Sequence, residues 1–185
     1  MHHIVIVSSS VRTGRKSHRV ALFLQKYIER TGKATAEIAD LNFYRFPLFD
    51  ERLKYQKNPL PGAVEFSQKI KSADGVIIVT PEYNGGPPAS IINVIDLLTD
   101  EWRRKPVAIS TVSDGQFGGS QVIISLQFIL WKIKAFTVPA MFPVPRVDEV
   151  FDENGNPYDP DSTEKRASIF IDEIMQCIKA KETMS

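Results

Sequence analysis

The chain has 185 residues, enough for one domain with a full core and too few for two. Hydrophobic residues make up 43% and charged residues 24%, the balance of an ordinary soluble globular protein, and a net charge of +1 gives no bulk reason to expect nucleic acid or a membrane surface as partner. One cysteine, Cys177, excludes an intrachain disulfide framework, a cysteine-based zinc site and a cysteine-ligated iron–sulfur cluster.

The apolar runs fall far short of a membrane span, and the first residues enter a strand directly, with no signal peptide in view. A cytoplasmic protein is expected. The three histidines, at 2, 3 and 18, lack metal-ligand spacing, so no metal site is expected.

The first strand covers 3–8 and runs into Ser8-Ser9-Ser10-Val11-Arg12-Thr13-Gly14-Arg15-Lys16-Ser17-His18-Arg19. Val20, Phe23, Leu24, Tyr27 and Ile28 then mark one face of a helix over 17–31. Ser17 is expected to be its N-cap. Arg12, Arg15, Lys16, His18 and Arg19 crowd the start of this helix with no acid among them, against the sense of the helix dipole. Such a loop makes physical sense around an anion, with Ser9, Ser10, Thr13, Ser17 and free helix N–H groups completing a phosphate cradle. A solvated basic turn is the plainer alternative. Neither a Walker motif nor Gly-x-Gly-x-x-Gly is present, which points to a mononucleotide.

A second strand is expected over 34–40 and a helix over 62–72. Between them, 41–61 holds Phe43, Tyr44, Phe46, Phe49 and Tyr55 among prolines. This segment suits a cover for the site or a subunit contact, with core packing beneath the loop as the alternative. The third strand, 74–80, is an unbroken Val/Ile run of the kind buried on both faces of a parallel sheet. It stops at Pro81-Glu82-Tyr83-Asn84-Gly85-Gly86-Pro87-Pro88, where paired glycines allow close approach of a flat ligand and prolines fix the loop.

A helix over 88–99 leads to a fourth strand, 105–112, and a third polar loop, Ser113-Asp114-Gly115-Gln116-Phe117-Gly118-Gly119-Ser120. A helix over 119–134, a strand over 135–139, a Pro/Asp/Asn-rich connection over 139–160 and a helix over 162–181 complete the chain. Strict β/α alternation predicts an α/β fold: a flavodoxin-like, doubly wound, five-stranded parallel sheet of order 2-1-3-4-5, in one domain spanning 1–185. Loops after strands 1, 3 and 4 then meet at the edge where open parallel sheets bind ligands.

Pro81-Glu82-Tyr83-Asn84-Gly85, with Pro88 and Asn93-x-x-Asp96, resembles the second loop of the NADPH-dependent FMN reductases, flavodoxin-like enzymes that include quinone, azo-dye and chromate reductases. Ser10-Val11-Arg12-x-Gly14-Arg15-x-Ser17 is similar to their phosphate loop, and Phe117-Gly118-Gly119 to their third loop. Phe151-Asp152-Glu153-x-Gly155 with Asp159-Pro160 resembles their tail. Ser9, Gly86 and Leu97 depart from the family's usual residues.

The resemblance implies bound FMN. Ser10, Arg12, Ser17 and His18 would hold its phosphate, with Arg15 in the same loop. Pro81, Glu82, Tyr83, Asn84 and Gly85 would meet the ring, largely through backbone, and Ser113 and Gly115 would close around the ring or ribityl chain. It also implies NADPH or NADH as reductant and a homodimer or homotetramer.

The expected activity is electron transfer from the nicotinamide through FMN to a small-molecule acceptor: a quinone, azo compound, metal ion or free flavin. No side chain is required as an acid–base catalyst, because the cofactor carries the chemistry; Glu82 is expected to be structural. The alternatives are a flavodoxin-type electron carrier or flavin-binding regulatory module without NAD(P)H turnover, and a phosphate-sensing domain without flavin.

Overall fold

The computed structural model describes residues 1–184. Its centre is an all-parallel sheet of β1 (His3–Ser8), β2 (Thr35–Asp40), β3 (Gly75–Pro81), β4 (Pro106–Val112) and β5 (Phe136–Met141), in the order β2-β1-β3-β4-β5. This is the expected flavodoxin-like order. Helices follow as α1 (Ser17–Thr31), α2 (Leu41–Tyr44), α3 (Pro61–Ser72), α4 (Ala89–Leu97), α5 (Gln121–Lys132), α6 (Val147–Val150) and α7 (Pro160–Thr183).

The continuous apolar strands follow from burial on both faces. Alternate residues serve opposite layers: Ile4, Ile6, Ile77 and Val79 pack with α1 and α7, while Val5, Val7, Val76 and Ile78 pack with α3, α4 and α5. Polar loops at the C-terminal edge are thereby held on a rigid frame.

Several boundaries differ from expectation. Ser17 is not the N-cap of α1: Lys16 stands there and Ser17 is the first helical residue. The last strand is Phe136–Met141 rather than 135–139; Pro139 is tolerated because β5 lies at the sheet edge. Helix α7 begins at Pro160 because Asp159 accepts the Ser162 N–H at 3.1 Å and proline suits the first turn.

In 41–61, Tyr44 stacks on Phe46 and both meet Phe66 of α3 edge-on, so part of the segment is core packing. Phe43, Leu48 and Tyr55 remain exposed. The tail motif also has a packing reason. At Gly155 (φ +75°) a Cβ would lie 2.4 Å from the Arg19 carbonyl oxygen, so only glycine lets the tail lie against α1.

Candidate active site

Three loops at the C-terminal edge of the sheet enclose a cavity of about 420 Å³. From the expected set, the first loop contributes Ser10, Arg12, Arg15 and Ser17, the second Pro81, Glu82 and Tyr83, and the third Ser113. The Ser10 and Tyr83 hydroxyls share a hydrogen bond of 2.7 Å, fixing the first loop against the second.

The basic loop is less unbalanced than its sequence suggests. Arg15 grips both carboxylate oxygens of Asp40, at the end of β2, and donates to the Ser10 carbonyl at 2.8 Å. Burial alone would raise the Asp40 carboxyl, but hydrogen bonds from Arg15 and the Asn42 N–H outweigh it and hold the group below its ordinary value. Lys16 pairs with Asp148 and Asp114, and Arg19 donates to Asp148 at 2.9 Å. Among the described residues this leaves Arg12 as the cation in the cavity wall with no carboxylate partner.

Ser17 lines the same cavity. It is 2% exposed and its hydroxyl has no hydrogen-bond partner, a costly state for a buried polar group. As the first residue of α1 it is surrounded by helix N–H groups that also lack intrahelical acceptors. Because Lys16 takes the cap position, the Ser17 hydroxyl is free for a ligand. An unpaired guanidinium, an orphaned hydroxyl and a helix start together fit a phosphate monoester.

The second loop turns at Asn84-Gly85. Tyr83 and Gly86 exchange backbone hydrogen bonds of 2.9 and 3.0 Å around two positive φ angles, 54° and 77°, the Asn-Gly pattern of a type I′ turn. A Cβ on Gly85 would come within 2.9 Å of Gln121 Oε1. Glu82 Oε2 accepts the Gln121 N–H at 3.2 Å, satisfying a free donor at the start of α5. In the third loop the Ser113 hydroxyl donates to the Gly115 carbonyl at 2.9 Å, and the tail clamps it: Arg146 N–H donates to Gly115 and Val147 N–H to Ser113.

Four expected residues do not line the cavity: His18, Asn84, Gly85 and Gly115. His18 Nδ1 lies 3.0 Å from the Ser8 hydroxyl, and burial, then the nearby Arg15 charge, lowers its pKa. The helix start carries His18 away from Ser17 toward the strand end. Asp40 and Asp148 were missed. Asp40 had a faint signal, a carboxylate closing the strand beside β1; Asp148 had none, since only folding brings the tail to the first loop.

The sequence model of the family described as NADPH-dependent FMN reductase matches residues 2–149. The chain belongs to this family. Its members are oxidoreductases with FMN as cofactor and NAD(P)H as reductant. A quinone reductase of Escherichia coli (strain K12) is 36% identical over 134 residues, 69% of this chain and 68% of that protein. An NAD(P)H-dependent FMN reductase of Schizosaccharomyces pombe is 32% identical over 146 residues, 75% and 70% of the two chains. The solved structure of FerB, a flavoenzyme NAD(P)H:(acceptor) oxidoreductase from Paracoccus denitrificans, superposes with a TM-score of 0.77 over 98% of this chain and 99% of its own, at 23% identity, a likeness of fold.

No cluster of three or more metal-ligating side chains occurs among the described residues, and no helix there is long and apolar enough to cross a membrane.

Proposed function

We propose that the cavity between the three loops holds FMN and that the protein is an NAD(P)H oxidoreductase delivering electrons to a small-molecule acceptor. The observation that carries this reading is the pairing of unsatisfied Ser17 with unpaired Arg12 in one cavity wall. When bound, FMN supplies the two-electron chemistry between nicotinamide and acceptor. Ser17, Arg12 and the N–H groups of α1 bind the phosphate. Pro81, Glu82 and Tyr83 would meet the ring from the second loop, whose shape the Asn84-Gly85 turn fixes, and Ser113 would border it from the third. Glu82 holds the turn to α5 and moves no proton.

A quinone, azo compound, metal ion or free flavin is the acceptor class. Relatives named quinone reductase and NADPH azoreductase support the first two. All of 1–185 serves as a single flavin-binding domain, in the cytoplasm, where a chain with one cysteine is at home.

The protein works as a homodimer or homotetramer. Ile124, Phe128 and Trp131 stand one to two turns apart on a single face of α5 and are 76%, 61% and 66% exposed, an apolar stripe suited to a second copy. Sedimentation at micromolar concentration is expected to give a multiple of 20.8 kDa.

The purified protein is expected to be yellow, to release FMN rather than FAD on denaturation, and to bleach with NADPH under anaerobic conditions. Re-oxidation by a panel of quinones, azo dyes and free flavin then ranks the acceptors. A protein that gains no flavin absorbance with added FMN overturns the reading; one that holds FMN but does not bleach is a carrier or regulatory module.

A further inference from the structure

A second cavity, of about 540 Å³, adjoins the first. Thr13 lines both, so the two share a rim. One wall is the first loop, one is the start of α4 at Ala89 and Ser90, and the third is the segment from Leu41 to Leu48. That third wall is fixed in place. Asn93 on α4 accepts the Phe49 N–H at 2.6 Å and donates to the Pro47 carbonyl at 2.8 Å, so both halves of its amide hold the strap.

The interior is amphipathic. Val11, Leu41, Phe46 and Leu48 supply apolar surface, while Arg45 supplies charge. Arg45 is the left-handed C-cap of α2 (φ 45°), its N–H donating to the Leu41 carbonyl, so its backbone is fixed where the helix ends. Its Nε–H donates to the Asn42 carbonyl at 3.3 Å, and the rest of the guanidinium has no carboxylate partner among the described residues. Apolar walls for a flat ring, with an unpaired guanidinium beside them, match an aromatic base joined to a phosphate.

We propose that this cavity seats the adenosine end of NADPH, with Arg45 on its 2′-phosphate. The inference rests on the NAD(P)H-dependent reading above and extends it to coenzyme choice. An uncharged quinone would leave Arg45 unmatched. A reacting ring, moreover, belongs in the neighbouring cavity with the flavin, whereas the adenosine end of a dinucleotide does not react and lies apart from it. The shared rim at Thr13 lets one extended molecule reach both.

The test uses the FMN-loaded protein and its Arg45→Ala and Arg45→Asn variants; asparagine tolerates the left-handed backbone while removing the guanidinium. Calorimetry with 2′,5′-ADP and 5′-AMP reads the site without turnover. Wild type is expected to bind 2′,5′-ADP about 10- to 100-fold more tightly than 5′-AMP, the scale of a charge-assisted hydrogen bond, and both variants to erase the difference. The KM for NADPH should rise by a similar factor, with KM for NADH, kcat and FMN occupancy unchanged. Equal binding of the two nucleotides by wild type, or equal changes in KM for both coenzymes, overturns the assignment. If wild type binds FMN and bleaches with NADPH while 2′,5′-ADP shows no advantage, only this inference falls.

Discussion

Ser10 and Tyr83, 73 residues apart in the chain, share a hydrogen bond of 2.7 Å that closes the first loop onto the second. The two loops follow neighbouring strands, β1 and β3, so the sheet register brings them level and the hydroxyl pair sets their spacing. The bond shapes the cavity without being reserved for phosphate. Tyr83→Phe removes one neutral hydrogen bond, worth about 0.5–1.5 kcal/mol net. FMN and riboflavin should both bind roughly 2- to 10-fold more weakly in fluorescence titrations. A loss confined to FMN would place the Tyr83 hydroxyl on the phosphate instead.

The two arginines of the first loop should behave differently. Arg12 is unpaired, so Arg12→Ala should weaken FMN by about 1.5–3 kcal/mol while leaving riboflavin, which lacks the phosphate, nearly unchanged. Arg15 is committed to Asp40, and the pair is 14% and 22% exposed. Arg15→Ala strands a half-buried carboxylate and should cost about 1–3 kcal/mol of folding stability, between the surface and buried extremes for ion pairs. Urea unfolding of both variants, beside titrations with both flavins, checks the split. Equal stability losses would show that the Arg15–Asp40 pair carries no structural weight.

The sheet order and the three loops were legible because each strand is an apolar run with its own turn chemistry, and β/α alternation leaves few topologies. The electrostatics were not. From sequence, five basic residues at a helix start look like an uncompensated cluster; Asp40, Asp114 and Asp148, which neutralise Arg15, Lys16 and Arg19, arrive from three distant segments. The family pattern puts His18 among the phosphate ligands, yet it follows Ser17 on a helix, and a turn of about 100° per residue carries it to Ser8. The alternatives for segment 41–61 both hold in part: Tyr44 and Phe46 pack on Phe66, while Arg45, Leu48 and one side of Phe46 line a cavity.

Glu82 and Gly85 separate scaffold from chemistry. Glu82 accepts the first N–H of α5, and glutamine retains an acceptor there. Glu82→Gln should therefore keep FMN and slow reduction by less than about tenfold, near 1.4 kcal/mol. Gly85→Val should damage the site severely, because a β-branched residue is strained at φ +77° and would distort the turn. Stopped-flow reduction, with flavin occupancy measured first, tests both. A fully flavinated Glu82→Gln protein slowed a thousandfold would make Glu82 an acid–base residue.

At the opposite edge of the sheet, Lys105 gives a prediction about pH. Its side chain is almost wholly buried; the ammonium donates to the Lys71 carbonyl at 3.1 Å and to that of Ala73, at the end of α3. Burial, reinforced by the Lys181 charge, pulls its pKa down to about 8 from 10.5. Between these values the unfolded chain holds the proton and the folded chain does not, so stability rises with pH across that window. Below about pH 8 both states are protonated and the cost of the buried charge is fully present. The whole gap corresponds to roughly 3 kcal/mol. Lys105→Met removes the titrating group while leaving every other one. From pH 7.5 to pH 10, wild type should gain about 2 kcal/mol relative to the variant in urea melts. Parallel curves for the two proteins would mean that Lys105 keeps an ordinary pKa in the folded state.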